Sequence, residues 1–205
     1  LAPEKRLVEA AIGGHAPNTL GDEALSLLAG AVKETGRGFH IHIGEDRFDS
    51  SFSHALYQKD ILERLSCFGL VNDKALFIHG VHLTEADITA INGAEAFLVH
   101  NSRSNMNNNV GYNHQLPALK NSALGTDGIG SDMWEEFKFA FFNHRNSGGS
   151  FWPGDFLKIL HRGNKILSRY FSGSFGSVNP GNAADLMILD YPSPTPLTGD
   201  NLAGH

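Results

Sequence analysis

Five short apolar runs in this chain each end on a residue able to hold a metal ion or a proton. They are AAIGGH ending at His15, GFHIH at His42, KALFIH at His79, AEAFLVH at His100 and SALGTD at Asp127. His40-Ile41-His42-Ile43-Gly44-Glu45 is the densest of them. Residues two apart in a strand share a face, so His40 and His42 point the same way, and Glu45 follows in the loop. A metal-binding histidine with a carboxylate three residues on suits water activation: the metal lowers the water pKa and the carboxylate carries the proton.

Asp127 sits between glycines in Gly125-Thr126-Asp127-Gly128, where a carboxylate can bind a metal and accept a proton from its water. An imidazole at His79 could polarise a substrate carbonyl or stabilise a metal hydroxide. Each residue alone also has an ordinary structural reading. A strand histidine is often a satisfied core residue, and TDG is a common turn. Asn101, Ser104 and Asn105 form loops through side-chain to backbone bonds and are read first as architecture. His82 reads as a loop hydrogen-bonder, and His15 and His100 are the weaker candidates. Their shared position, at successive strand ends, is what favours chemistry.

The elements that place them alternate strand and helix. The five polar ends are 27, 37, 21 and 27 residues apart, with helix-like sequence in each gap. Strands are expected over 6–14, 38–44, 74–78, 94–99 and 122–126. Helices are expected over 20–33, closed by Gly36, over 51–67, after Thr84 with Asp87 completing its cap, and near 115–121. Residues 101–113 read as a long polar loop. Asp132 and Glu135 start a further helix, NSGGSFW (146–152) reads as a loop, and two short helices follow over 154–161 and 164–170. Leu186–Leu189 reads as a strand outside the main sheet. Parallel strands whose C-terminal ends share one rim, each followed by a helix, describe a TIM (β/α)8 barrel. A full barrel takes about 250 residues, so this chain is expected to hold strands four to eight only. Residues 1–180 form that second half, and 181–205 lead into a small β-sandwich domain.

Composition bounds the rest. With 41% apolar and 19% charged residues, the chain has the makings of a globular core. Its net charge of −6 and scattered basic residues argue against a nucleic-acid surface. No apolar run approaches the roughly 20 residues that span a bilayer. The single Cys67 precludes an internal disulfide and fits a cytoplasmic location, and eleven histidines is a high count for this length.

His42-x-x-Glu45, the strand ending on His79, HNSRSNMNNNVG, GTDGIGSDMWE and ADLMILDYPSPTPLTGDNLAGH together resemble the amidohydrolase superfamily. Within it they look like the deaminase and chlorohydrolase branch, and most like the SsnA group of aminohydrolases. The resemblance implies His42 and Asp127 as ligands of one divalent metal, zinc with iron as the alternative. It implies Glu45 as proton shuttle, His79 as the group orienting the attack, and Asp127 as acceptor of the water's proton. His15, His100 and Asn101 would contact a small heterocyclic substrate. A lysine that bridges two metals in some relatives is absent from the strand ending at His15, which favours one metal. The expected reaction is hydrolytic deamination of a nitrogen heterocycle, with ammonia released, by a cytoplasmic homodimer. Hydrolysis of a cyclic amide or a C–Cl bond, or a non-catalytic barrel relative, are the alternatives. Such families take two further metal ligands from an HxH on the first strand, and no such strand precedes His15 here. The polypeptide as given is therefore expected to hold zinc weakly and to turn over little.

Overall fold

The structure, a computed structural model, describes residues 8–205. Its strands are β1 (Ile12–Gly13), β2 (Phe39–Ile43), β3 (Leu76–His79), β4 (Phe97–His100) and β5 (Ser122–Leu124). Every neighbouring pair is parallel, and the order across the sheet is the order along the chain. Doubly wound sheets reverse their order at a switch point; this sheet does not, which is the winding of a barrel. Among the described residues the five strands do not close into a ring, because β1 and β5 each have one neighbour.

The helices are α1 (Asp22–Thr35), α2 (Arg47–Tyr57), α3 (Ile61–Cys67), α4 (Glu85–Gly93), α5 (Ser102–Asn107), α6 (Met133–Asn146) and α7 (Pro153–Tyr170). Strand period two sorts β2 into faces. Phe39, Ile41 and Ile43 are fully buried in one cluster with Leu25 and Val32 of α1 and Ile61, Leu62 and Leu65 of α3. His40 and His42 lie on the opposite, half-buried face. Thr84 caps α4 as expected: its hydroxyl accepts from the Asp87 amide at 3.1 Å, and the Asp87 carboxylate accepts from the Thr84 amide at 2.9 Å.

Several expectations are corrected. The single helix over 51–67 is two, because Gln58 turns left-handed (φ 54°) and ends α2, and Asp60 starts α3. The helix near 115–121 shrinks to a 3-10 turn, Leu116–Ala118, around Pro117. The loop over 101–113 begins as α5. The two helices over 154–161 and 164–170 are one, α7; a Cβ at Gly163 would meet nothing, so nothing in its surroundings interrupts the helix. The strand over 6–14 pairs only at Ile12 and Gly13, and its first two residues lie outside the described ones. Residues 186–189 form no strand among the described residues, and Ile188 is 97% exposed. A strand needs a partner for its backbone groups, and among the described residues none pairs with this segment.

Arg64 fixes the loop after β1. Its side chain, 2% exposed, donates to Pro17 O (2.7 Å), Leu20 O (2.6 Å) and Asp22 Oδ1 (2.8 Å), and lies 3.4 Å over the Tyr57 ring. The two carbonyls lose their partner if the guanidinium is removed. Arg64→Met is expected to cost about 2–4 kcal/mol, read as a lower urea midpoint at constant m-value. An unchanged midpoint would show that this network does not stabilise the fold.

Candidate active site at the C-terminal rim

His79, the last residue of β3, is the centre of the site. Its backbone is left-handed (φ 69°), uncommon for a non-glycine residue, and Gly80 repeats the turn (φ 57°). A Cβ at Gly80 would sit 2.4 Å from Leu98 Cδ1, so the chain can leave the strand here only as glycine. The turn buries the His79 imidazole to 1% exposure and directs Nε2 between two carboxylates. Glu45 Oε2 is 3.5 Å away and Asp127 Oδ2 is 3.9 Å away. On its other side, Nδ1 donates to Asn105 Oδ1 at 2.9 Å, a tautomer assigned from the acceptor it faces.

His42 stacks on His79, with ring centroids 5.3 Å apart. Its Nδ1 donates to the His15 carbonyl at 2.7 Å, which leaves the Nε2 lone pair free. That is how a metal-ligating histidine is oriented by its second nitrogen. The His15 ring meets His42 edge-on, is exposed, and bonds Thr19 Oγ1 at 3.1 Å. Glu45 follows the Gly44 turn, accepts from Asn108 Nδ2 at 3.4 Å, and donates its amide to the buried Asp49. Burial raises the Asp49 pKa above the ordinary carboxylate value.

Asp127 is also left-handed (φ 49°). Its Oδ2 accepts from Ser104 Oγ at 2.6 Å and its Oδ1 from the Gly128 amide at 2.8 Å. The Ser104 hydrogen bond, more than any other contact, holds this carboxylate below its usual range. Arg103 anchors the following loop by donating to Gly130 O (2.9 Å) and to the Glu135 (2.7 Å) and Glu136 (2.8 Å) carboxylates at the start of α6.

His42, Glu45, His79 and Asp127 thus converge on one rim, with His15 beside them. His100 and Asn101 lie behind it. His100 is fully buried against the Tyr112 ring, and burial pushes its imidazole down to about 4, so it is neutral. Neither of its ring nitrogens, nor Asn101 Oδ1, has a hydrogen-bond partner. By composition Ser104 and Asn105 read as loop formers; the structure puts one on Asp127 and the other on His79. The signal was their place one and two residues after Arg103, on a turn of helix that the polar composition concealed.

His42 Nε2 and the Asp127 carboxylate are donors of the type zinc takes, but a zinc site needs three or four protein ligands. Among the described residues no group of three or more His, Cys, Asp or Glu side chains is arranged to hold a metal ion. The residues fit the metal in kind and supply part of its donor set.

A family model for the amidohydrolase family matches residues 1–204. The chain belongs to the amidohydrolase family. It is 29% identical over 97% of its length to the 5-methylthioadenosine/S-adenosylhomocysteine deaminase of Thermococcus sibiricus, covering 48% of that protein. It is 30% identical over 92% of its length to the 5'-deoxyadenosine deaminase of Methanopyrus kandleri, covering 46% of it. The chain spans about half the length of the curated relatives it matches. Among solved structures, a zinc-bound adenosine deaminase from Xanthomonas campestris superposes with a TM-score of 0.78 at 27% identity, over 89% of this chain and 44% of that one. E. coli guanine deaminase, at 20% identity and TM-score 0.70 over 77% of this chain and 39% of that one, shares the fold. The relatives and solved structures named here are deaminases. No helix among the described residues is long and apolar enough to cross a membrane.

Ser104→Ala should raise the Asp127 pKa toward the ordinary 3.8, followed by carbon-detected NMR titration of that carboxylate. Because the folded value is depressed, Asp127 stabilises the fold fully above the unfolded value, and this is lost as pH falls through the lower folded value. The alanine variant should therefore lose less stability below about pH 4 than the wild type. Superimposable titrations would show that Ser104 does not tune Asp127.

Proposed function

We propose that the chain is the second half of a metal-dependent aminohydrolase barrel, residues 1–180, followed by a return segment, 181–205, into a small β-sandwich domain. The reaction is hydrolytic removal of an exocyclic amine from a nitrogen heterocycle of the adenine type. The observation that carries it is the His79 imidazole, buried, with Nε2 between the Glu45 and Asp127 carboxylates at 3.5 and 3.9 Å. The names of the relatives support the substrate class, and the zinc of the Xanthomonas campestris structure supports the metal.

Zinc, held in part by His42 and Asp127, would supply Lewis acidity and lower the pKa of water. The remaining work falls to this chain's own side chains. Asp127, kept ionised by Ser104 and the Gly128 amide, accepts a proton from the attacking water. Glu45 takes the first proton of the attacking water and delivers it to the ring nitrogen beside the attacked carbon; the proton Asp127 accepts is the second. His79, fixed by Asn105, steadies the oxygen that develops negative charge. Asp127 passes the proton it accepted to the exocyclic amine, the C–N bond breaks, ammonia leaves, and the ring keeps the water oxygen as a carbonyl.

His15, exposed beside His42, is a substrate contact in this reading, and His100 and Asn101 back the same pocket. The whole enzyme works in the cytoplasm as a homodimer. Because His42 and Asp127 are only part of a donor set, the 205-residue chain alone should lose zinc on dialysis. A stoichiometric ion retained against chelator would overturn the two-ligand assignment.

Ammonia release by the complete, zinc-loaded polypeptide tests the reaction against adenosine, 5'-deoxyadenosine, S-adenosylhomocysteine, guanine and a chlorotriazine. An adenine-type nucleoside should be turned over fastest, and Glu45→Gln should slow it by about 100-fold or more. Chloride release without ammonia would move the chemistry to dehalogenation. No turnover of any of them would favour a binding protein on the same scaffold.

A further inference from the structure

His144, on α6, is buried to 1% exposure and lies outside the carboxylate cluster. Much of the α6–α7 connection is shaped around it. Phe151 stacks on its ring at 5.2 Å and Phe156 meets it edge-on at 5.3 Å. A Cβ at Gly149 would fall 2.2 Å from its Cε1 and Nε2, so only glycine allows the loop to close over the ring. The Phe151 amide donates to Nε2 at 2.8 Å. Its Nδ1 is hydrogen-bonded to the Tyr112 hydroxyl.

An imidazole cannot accept at both nitrogens. Because Nε2 accepts from the Phe151 amide, Nδ1 carries the proton and donates to the Tyr112 oxygen. The Tyr112 hydroxyl hydrogen is then free, and Tyr112 Oη has no other hydrogen-bond partner among the described residues. The ring lies edge-on to His100, 5.7 Å between centroids, whose two nitrogens are buried and unpartnered. Tyr112 also lines a cleft of about 800 Å³ on the rim, with Arg47 and Asn108 from the Glu45 side and Asn113 from its own. Asn113, 2% exposed, is oriented by the Gln115 amide (2.8 Å to its Oδ1), which leaves its Nδ2 donor unpartnered.

We infer that Tyr112 is a specificity-determining hydrogen-bond donor, oriented by His144, for a hydroxyl on the substituent that the heterocycle carries. A hydroxyl suits the surroundings because its oxygen can accept the free Tyr112 hydrogen at the wall of that cleft. His144 is a positioning residue: it touches no ligand and sets which way the tyrosine proton points. Burial lowers the His144 pKa and raises that of the Tyr112 phenol, in keeping with a neutral pair. The inference rests on the heterocycle reading above and adds to it which part of the substrate is read, and by what.

Two measurements decide it. Long-range nitrogen–proton NMR of the isotopically labelled chain should show His144 as the Nδ1–H tautomer; the Nε2–H form would remove the premise. In the complete zinc-loaded polypeptide, kcat/KM is then compared for adenosine and for adenine, which lacks the sugar hydroxyls. Tyr112→Phe should lower kcat/KM for adenosine roughly tenfold or more and leave that for adenine unchanged. Equal loss on both would make Tyr112 a structural residue and overturn the inference. Wild-type failure on both substrates would instead overturn the heterocycle reading on which it rests, a result distinguishable from the first.

Discussion

The left-handed turn at the end of β3 is what the rest of the rim depends on. A β-strand that simply continued past His79 would alternate its side chains between the helix-covered face and the inner face. Instead, φ of 69° at His79 and 57° at Gly80 lift the imidazole over the strand end. Leu98, from the next strand, fills the space a Cβ on residue 80 would occupy. A non-glycine residue in this region costs about 1–3 kcal/mol, so the surroundings have to hold it there. The hydrogen bond from Nδ1 to Asn105 does so from α5, which follows β4, and the stack on His42 does so from β2.

Parallel register then brings the partners to the same level. Ile43 lies opposite His79 and His100 opposite Leu124, so the loops that follow leave from one rim. Glu45 and Asp127 come from the two flanking directions, yet each is within 4 Å of the same nitrogen. Asn105, Ser104 and Arg103, consecutive on α5, reach His79, Asp127 and the loop after Asp127 respectively. One short helix therefore couples the two positive-φ residues of the site. A displacement of α5 moves the His79 imidazole and the Asp127 carboxylate together.

Most of this framework was legible in the sequence where a local rule is strong. Apolar runs ending in polar residues located the strands, and Thr84 with Asp87 located a helix start. Period two gave the faces of β2. What stayed hidden depends on contacts between distant segments. Gln58 breaks a helix that the apolar spacing of Leu56, Ile61 and Leu65 would carry through. Gly163 leaves α7 whole although the composition suggests a break. Ser104 and Asn105 look like turn formers because their partners are 23 and 26 residues away. The role of His144 was invisible for the same reason: its partner Tyr112 lies 32 residues earlier, in another loop.

The two faces of β2 also bear on how the site is completed. Phe39, Ile41 and Ile43 are fully covered by helices, whereas His40 and His42, on the inner face, are only half-buried. Burial and the neighbouring His42 both lower the His40 pKa, which argues for a neutral imidazole on that face. In a closed barrel the inner face is packed by side chains from alternate strands, and each strand also delivers a residue to the rim. Closure requires either that β1 and β5 pair with one another or that further strands enter between them. Only the second route adds residues to the rim, and it would cover His40 from the inside while bringing new donors level with His42. In the proposed metal-dependent barrel, coverage of the inner face and completion of a metal's donor set would therefore be a single structural requirement, met or failed by the same strands.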